Sequence, residues 1–232
     1  MNNPYPIEII KSTARKSIGI QVYPDCTVKV RVPKWLSKKK IDEVISQKQD
    51  WINNKIEYFQ QNQIGILKKK EYVDGESFYY LGRQYTLRII ESKSNSVERT
   101  DNTIFVYKSP KRNAKNILTK WFLDLAKEIF EERLNINFEI FSKLHQYSFP
   151  VLKIKKMKAR WGSMSSNGFI TLNSHLIHTP IECIDYVIMH ELCHLKYQNH
   201  GREFHLLQRN FTPKYKEIKK NLEDFNYKIR LM

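Results

Sequence analysis

Two histidines, His190 and His194, stand four residues apart, with Glu191 between them and His200 six residues further on. On a helix that spacing puts both imidazoles on one face, one turn apart, close enough to share a metal ion. Glu191 follows the first His, so its carboxylate points at the same region without being a ligand. This is the H-E-x-x-H pattern, in which two histidines bind zinc and the carboxylate serves as general base for a water that the metal activates. His200 is the favoured third ligand and leaves one position open for catalysis. Glu203 and His205, slightly further along, are the alternatives. A structural zinc site would be richer in cysteine and would have no use for a Glu beside the first His. Cys193 faces away from the metal in this register and is taken as small apolar packing.

These residues need a helix, and the sequence supplies signals for one. Thr179-Pro180-Ile181-Glu182 has the form of a capping box with proline at the first helical position. Ile181, Ile184, Val187, Ile188, Leu192 and Leu195 then form an inward stripe. The helix is expected to include His194 and to stop near Asn199, which tolerates a left-handed conformation. Upstream, Val151 to Lys156 reads as a strand, Ala159 to Gly168 as a loop and Phe169 to Ser174 as a second strand. That second strand is expected at a sheet edge, where an extended peptide could add. The loop carries Arg160 and Trp161. Arg160 is a candidate to bind a substrate carboxylate or phosphate, or to stabilise an oxyanion, with a salt bridge to Asp185 as the competing reading. Trp161 and Asn173 join it as candidate substrate-binding residues. His175 and His178 flank the helix start and are read as surface polar groups; His145 has no partner spacing. After the site, short helices are expected over Arg202 to Asn210 and from Pro213 to about Phe225.

The first half of the chain reads as a β-rich module. Ile18, Ile20 and Val22 alternate, as do Val28, Val30 and Val32, around a turn at Pro24-Asp25. One long helix, capped by Ser37, is expected to run to about Gln61. A polar connection over residues 62 to 75 follows. Strands then flank a turn at Gly82-Arg83, a polar loop covers Ser92 to Asn102, and a short strand covers Thr103 to Tyr107. Ser109-Pro110 is expected to start a helix that runs to about Asn135, with a second stretch over Phe138 to His145. The fold class is therefore α+β. A β-rich module with one long helix spans residues 1–108, and a catalytic domain built on the active-site helix spans residues 109–232.

Composition narrows the function class. The 232 residues carry a net charge of +16 and are 41% hydrophobic and 28% charged, as a folded domain requires. No apolar run is long enough to cross a bilayer. The first ten residues are polar, with no signal-peptide segment. The three cysteines have no framework spacing, and together these features point to a cytoplasmic protein with no membrane partner. The basic charge allows association with nucleic acid, although the lysines are spread out as on an ordinary solvated face.

The chain also resembles a known family. The residues that carry the resemblance are Lys158-Ala159-Arg160-Trp161-Gly162-Ser163, Gly168-x-Ile170-x-Leu172-Asn173, Pro180, Ile184-Asp185-Tyr186-Val187-Ile188, His190 to Leu195, Asn199-His200 and Phe204. They are similar to the YgjP-like metal-dependent hydrolases, which are related to the SprT and WLM zinc metallopeptidases. Arg15-Lys16, the valine hairpin, Trp51-Ile52 and Tyr80 to Tyr85 extend the likeness over nearly the whole chain. The resemblance implies a zincin-like core with Zn²⁺ on His190, His194 and His200, and Glu191 as acid/base. Met164 and His205 depart from the residues usual at their positions, Cys and Trp. A peptide or protein substrate is the leading expectation, because the motif suits peptide hydrolysis. A nucleoside triphosphate pyrophosphatase is the alternative, since such an activity is attributed to a member. Its Mg²⁺ would prefer carboxylate and water ligands. A non-catalytic, nucleic-acid-binding module with structural zinc is the third reading.

Overall fold

The computed structural model describes residues 4–61, 70–143 and 146–229. These fall into two compact units, one up to residue 61 and one from residue 70 onward. The expected division after residue 108 cuts the chain elsewhere. The strands between 77 and 108 belong with the second unit because they bury Phe78, Tyr80, Leu87, Ile104 and Val106 in the same core as the helices that follow. His145, Lys68 and Lys69 lie outside the described residues, as does most of the expected polar connection.

In the first unit β1 (Ile7–Ser12), β2 (Gly19–Val22) and β3 (Val28–Pro33) form a sheet in the order β1-β3-β2. The expected hairpin is β2 and β3, paired antiparallel. Strand β1, which the polar N-terminal sequence conceals, runs parallel to β3. Val28, Val30 and Val32 of the central strand are completely buried. Ser37 caps α1 (Lys38–Gln47) by accepting from the Lys40 amide. The expected single long helix is broken at Lys48, whose amide turns back to the Ile45 carbonyl, and α2 (Gln49–Gln61) continues from there.

The second unit contains two sheets and four helices among its described residues. Strands β4 (Ser77–Tyr80), β5 (Arg83–Glu91), β6 (Ser96–Arg99) and β7 (Thr103–Lys108) lie in the order β4-β5-β7-β6. The β4–β5 turn is Leu81-Gly82, one residue earlier than expected, with φ of 46° and 80°. Positive φ at both central residues is the hairpin turn that matches strand twist, and Gly supplies the second position without strain. The supposed loop after Ser92 contains β6, a polar edge strand with no hydrophobic alternation to mark it.

Helix α3 (Ala114–Ser142) is one continuous rod of 29 residues. It starts at Asn113, whose side chain accepts from the Lys115 amide, while Ser109-Pro110 forms a turn ahead of it. The expected break after Asn135 does not occur. Leu118, Phe122, Ala126, Phe130 and Leu134 form a buried ridge at four-residue steps, the row that packs into a neighbouring helix groove. The neighbour is α4 (Ile181–Cys193), which carries the motif. Arg133 of α3 holds Asp185 of α4 by two contacts of 2.8 and 2.6 Å, and Asn137 donates to the same carboxylate.

The third sheet has β8 (Val151–Lys155), β10 (Phe169–Asn173) and β9 (Gly162–Met164) in the order β8-β10-β9. Strand β10 is thus central and not an edge, since it pairs parallel with β8 and antiparallel with β9. The loop reading had hidden β9, which is three residues long. A 3₁₀ turn, Ser174–His178, leads to α4, and α5 (Arg202–Phe211) and α6 (Tyr215–Ile229) complete the unit. The expected capping box does not form. The Thr179 hydroxyl donates backward to the Leu176 carbonyl at 2.8 Å, which closes the 3₁₀ turn.

His178 is buried and not the surface residue expected. Its Nδ1–H donates to the Tyr79 carbonyl at 2.6 Å, and its ring meets the edge of Phe122. Burial lowers its pKa from 6.5 to about 4. The neutral ring therefore contributes full stability above about pH 6.5, and that contribution is lost as pH falls toward about 4, because the unfolded chain takes up the proton first. In urea unfolding of metal-free protein, a His178→Gln variant should lose about 2 kcal/mol less than the wild type between about pH 7 and about pH 5. Equal losses would show that His178 is not the group that titrates.

Candidate metal centre and catalytic carboxylate

The helix that carries the motif ends earlier than its sequence suggests. Its last residue is Cys193, and His194 is the C-cap, still in right-handed helical geometry with φ −69° and ψ −15°. The next turn tightens, with the Leu195 and Lys196 amides reaching the Leu192 and Cys193 carbonyls. Asn199 has no left-handed conformation. Because His194 keeps helical dihedrals, it still lies one turn above His190, and the two rings are 5.1 Å apart. The chain then returns, placing His200 4.7 Å from the His194 ring and its Nε2 3.0 Å from His190 Nε2. One nitrogen from each of His190, His194 and His200 lies within 4.8 Å of the others. Glu203 and His205 are exposed and lie outside this cluster.

Nitrogens this close can share one ion, and the surroundings suit that use. His194 Nδ1–H donates to the Tyr197 carbonyl at 3.0 Å, which leaves its Nε2 with a lone pair. His190 Nδ1 lies 3.0 Å from the side-chain amide of Gln208 on α5. Burial, and then the neighbouring His194 and His200, lower the His190 pKa to about 4, and burial lowers that of His200. Neutral imidazoles are the form that binds metal. Three such donors and no thiolate fit a zinc-type ion with one open position. Cys193 is fully buried outside the cluster, and burial pushes its pKa up to about 12.

Glu191 sits beside the cluster and is 5% exposed. Its carboxylate lies against the backbone of β9. A Cβ added at Gly162 would fall 2.6 Å from Glu191 Oε1, so no other residue fits there without displacement. Burial raises the Glu191 pKa to about 7, while a hydrogen bond from the Met164 amide and the charge of Arg160 pull it down. The carboxyl is therefore poised to exchange a proton near neutral pH.

All of these groups open into one cavity of about 870 Å³, which Arg160, Trp161 and Lys219 also line. Arg160 is exposed and does not pair with Asp185, which Arg133 has taken. Trp161 is half-buried on the cavity wall. Asn173 does not reach the cavity. It is 4% exposed, and its amide donates to the Met157 and Arg160 carbonyls at 2.8 and 2.9 Å while accepting from the Met157 and His175 amides. It holds the loop that presents Arg160.

Three groups escaped the sequence reading. Gly162 stood in view, but nothing local says which carboxylate fills the space. Gln208 carried a signal, being a polar residue on the buried Phe204 and Leu207 face of an amphipathic helix. Lys219 carried none, because α6 is rich in lysine throughout.

A family described as YgjP-like, metallopeptidase domain, matches residues 16–225. No curated protein is similar enough to the chain to match. Among solved structures, the metallopeptidase zymogen jannalysin of Methanocaldococcus jannaschii is 28% identical, covering 43% of this chain and 88% of its own, with a TM-score of 0.34.

If Asn173 positions the loop, Asn173→Ala removes the partner of two part-buried carbonyls and two amides and should lower unfolding stability by about 1–3 kcal/mol. Hydrogen exchange should rise at residues 157–161. A loss below about 0.5 kcal/mol would contradict this role.

Proposed function

The chain belongs to the YgjP-like family of metallopeptidase domains, and from that premise we propose that it is a zinc-dependent peptidase whose general base is Glu191. The convergence of three imidazoles and a buried carboxylate in a single cavity carries the reading. The membership makes it a hydrolase of the metallopeptidase class. The choice of zinc and the assignment of roles are our inference from the donor set.

His190, His194 and His200 would hold the ion. Bound there, zinc supplies Lewis acidity that makes a water more acidic and polarises a carbonyl. Glu191 takes the proton of the attacking water and returns it to the leaving amine. Burial raises the Glu191 pKa in the metal-free chain, which makes the carboxylate a stronger base than an exposed one. Arg160 presents an exposed guanidinium to the same cavity and serves the carboxylate of the substrate or the negative charge that develops on its carbonyl oxygen. Trp161 supplies an apolar wall. The substrate's backbone would pair with β9, the edge strand of the third sheet that lines the cavity, which takes the role first expected of β10. The three cysteines are unpaired, which supports a reducing, cytoplasmic setting, and the +16 charge supports substrates associated with nucleic acid.

Purified protein should contain about one zinc per chain, and a His190→Ala variant should contain almost none. Glu191→Gln should keep the zinc and lose about 10²–10⁴-fold in kcat on an unfolded protein substrate. Gly162→Ala should also keep zinc while lowering kcat, because it displaces the carboxylate. Parallel assays with DNA present and with nucleoside triphosphates complete the test. Pyrophosphate release that depends on Glu191, without peptide cleavage, would overturn the peptidase reading.

A further inference from the structure

Gln208 is 2% exposed, so its amide must be satisfied by neighbours. It has two. Its nitrogen Nε2 lies 3.0 Å from His190 Nδ1, and the amide also hydrogen-bonds Tyr186, whose hydroxyl burial makes harder to ionise. Tyr186 is one helical turn before His190 on α4 and lines the cavity. An amide offers one acceptor oxygen and one donor nitrogen. With the nitrogen toward His190, as it stands, Nδ1 must accept and the ring proton sits on Nε2, the atom that faces His200. Half a turn of the amide within the same outline puts the oxygen there instead: Nδ1 then carries the proton, Nε2 keeps its lone pair toward the cluster, and the nitrogen can donate to Tyr186. Only the second arrangement leaves His190 able to bind metal.

We propose that Gln208 is a positioning residue for the metal centre: its oxygen accepts from His190 Nδ1, its nitrogen donates to the Tyr186 hydroxyl, and the pair of bonds locks His190 in the metal-binding tautomer. The tyrosine accommodates either orientation, because a phenol both donates and accepts. The metal centre decides between them: His190 can offer Nε2 to an ion only with its proton on Nδ1, and a buried Nδ1–H needs an acceptor, which the amide oxygen supplies once the amide turns over. The backbone carbonyl of Tyr197 does the same for His194, so two of the three imidazoles are held by acceptors on their far side. Phe204, four residues before Gln208 on α5, packs against all three rings at 4.7 to 4.9 Å. Helix α5 thus supplies both the apolar backing of the cluster and a polar side chain that reaches it from behind.

The inference rests on the proposed zinc centre, so the test measures zinc affinity and not turnover. The wild type, Gln208→Leu and Gln208→Glu are compared by competition with a chromophoric chelator, with urea unfolding of each metal-free protein as the control for folding. Gln208→Leu removes the acceptor and should weaken zinc binding about 10–100-fold. Gln208→Glu restores an acceptor of the same shape and should bind zinc at least as tightly as the wild type. Loss in the leucine variant with recovery in the glutamate variant supports the role. Affinity within about twofold of the wild type in the leucine variant overturns it, as does a glutamate variant that is folded yet as weak as the leucine one. If the wild type itself binds no zinc, the zinc reading fails before the role of Gln208 is reached.

Discussion

A carboxylate buried beside three imidazoles is the constraint on which the catalytic unit depends. Removing an ionisable group from water is costly unless partners replace the solvent. Glu191 has one amide hydrogen bond from Met164 and the charge of Arg160 nearby, and together these do not cancel the burial. The remainder appears as a pKa raised to about 7. The same burial requires the backbone of β9 to run flush against α4, which is why position 162 has no side chain. A methyl group there would push the carboxylate toward solvent and lower its basicity, so the separation of one helix and one strand sets the acid–base chemistry.

The rest of the unit holds that separation. Helix α3 fixes α4 from behind through its four-residue ridge and the Arg133–Asp185 pair, which is about a quarter exposed and thus only partly screened. The 3₁₀ turn before α4 is anchored to the β4–β5 hairpin: the Leu81 and Gly82 amides donate to the Ile177 and His178 carbonyls. A Cβ at Gly82 would meet the ring of Pro180 at 2.8 Å, so this hairpin sits tight against the helix start. On the other side, Asn173 ties the loop before β9 to the end of β10. Every element that touches α4 or β9 therefore limits where Glu191 can be.

The sequence revealed the parts of this arrangement that are governed by local periodicity. The histidine spacing, the strand alternation around Val28 and the apolar stripe of α4 all follow from rules of three to four residues or of two. The clustering of His200 with the motif was legible because little else could serve. What stayed hidden depends on tertiary partners. Thr179 satisfied a local capping rule, yet its hydroxyl had a closer acceptor once the 3₁₀ turn formed. Asn173 reads as a candidate substrate contact, but the loop before β9 buries it. Asp185 was matched to Arg160 because both lie near the site in sequence, whereas Arg133 reaches it from 52 residues away with better geometry. Strand β9 was too short to alternate, and only its pairing with β10 defines it.

The early end of α4 shows how the site uses a helix terminus. The last carbonyls of a helix have no partner within it. Had the helix continued to Asn199, the Tyr197 carbonyl would have pointed along the axis toward the next turn. Side chains lean toward the helix N-terminus, so the His194 ring could not have met it. By tightening after Cys193, the chain turns that carbonyl back, and it accepts from His194 Nδ1. The same release lets His200 return within six residues to complete the cluster. The break thus does two things that a longer helix could not: it orients the second imidazole through a backbone group and delivers the third. Helix α5 follows at once, so Phe204 can back the three rings and Gln208 can reach the first. The geometry of the cluster is therefore encoded as much in where α4 stops as in the spacing of the histidines upon it.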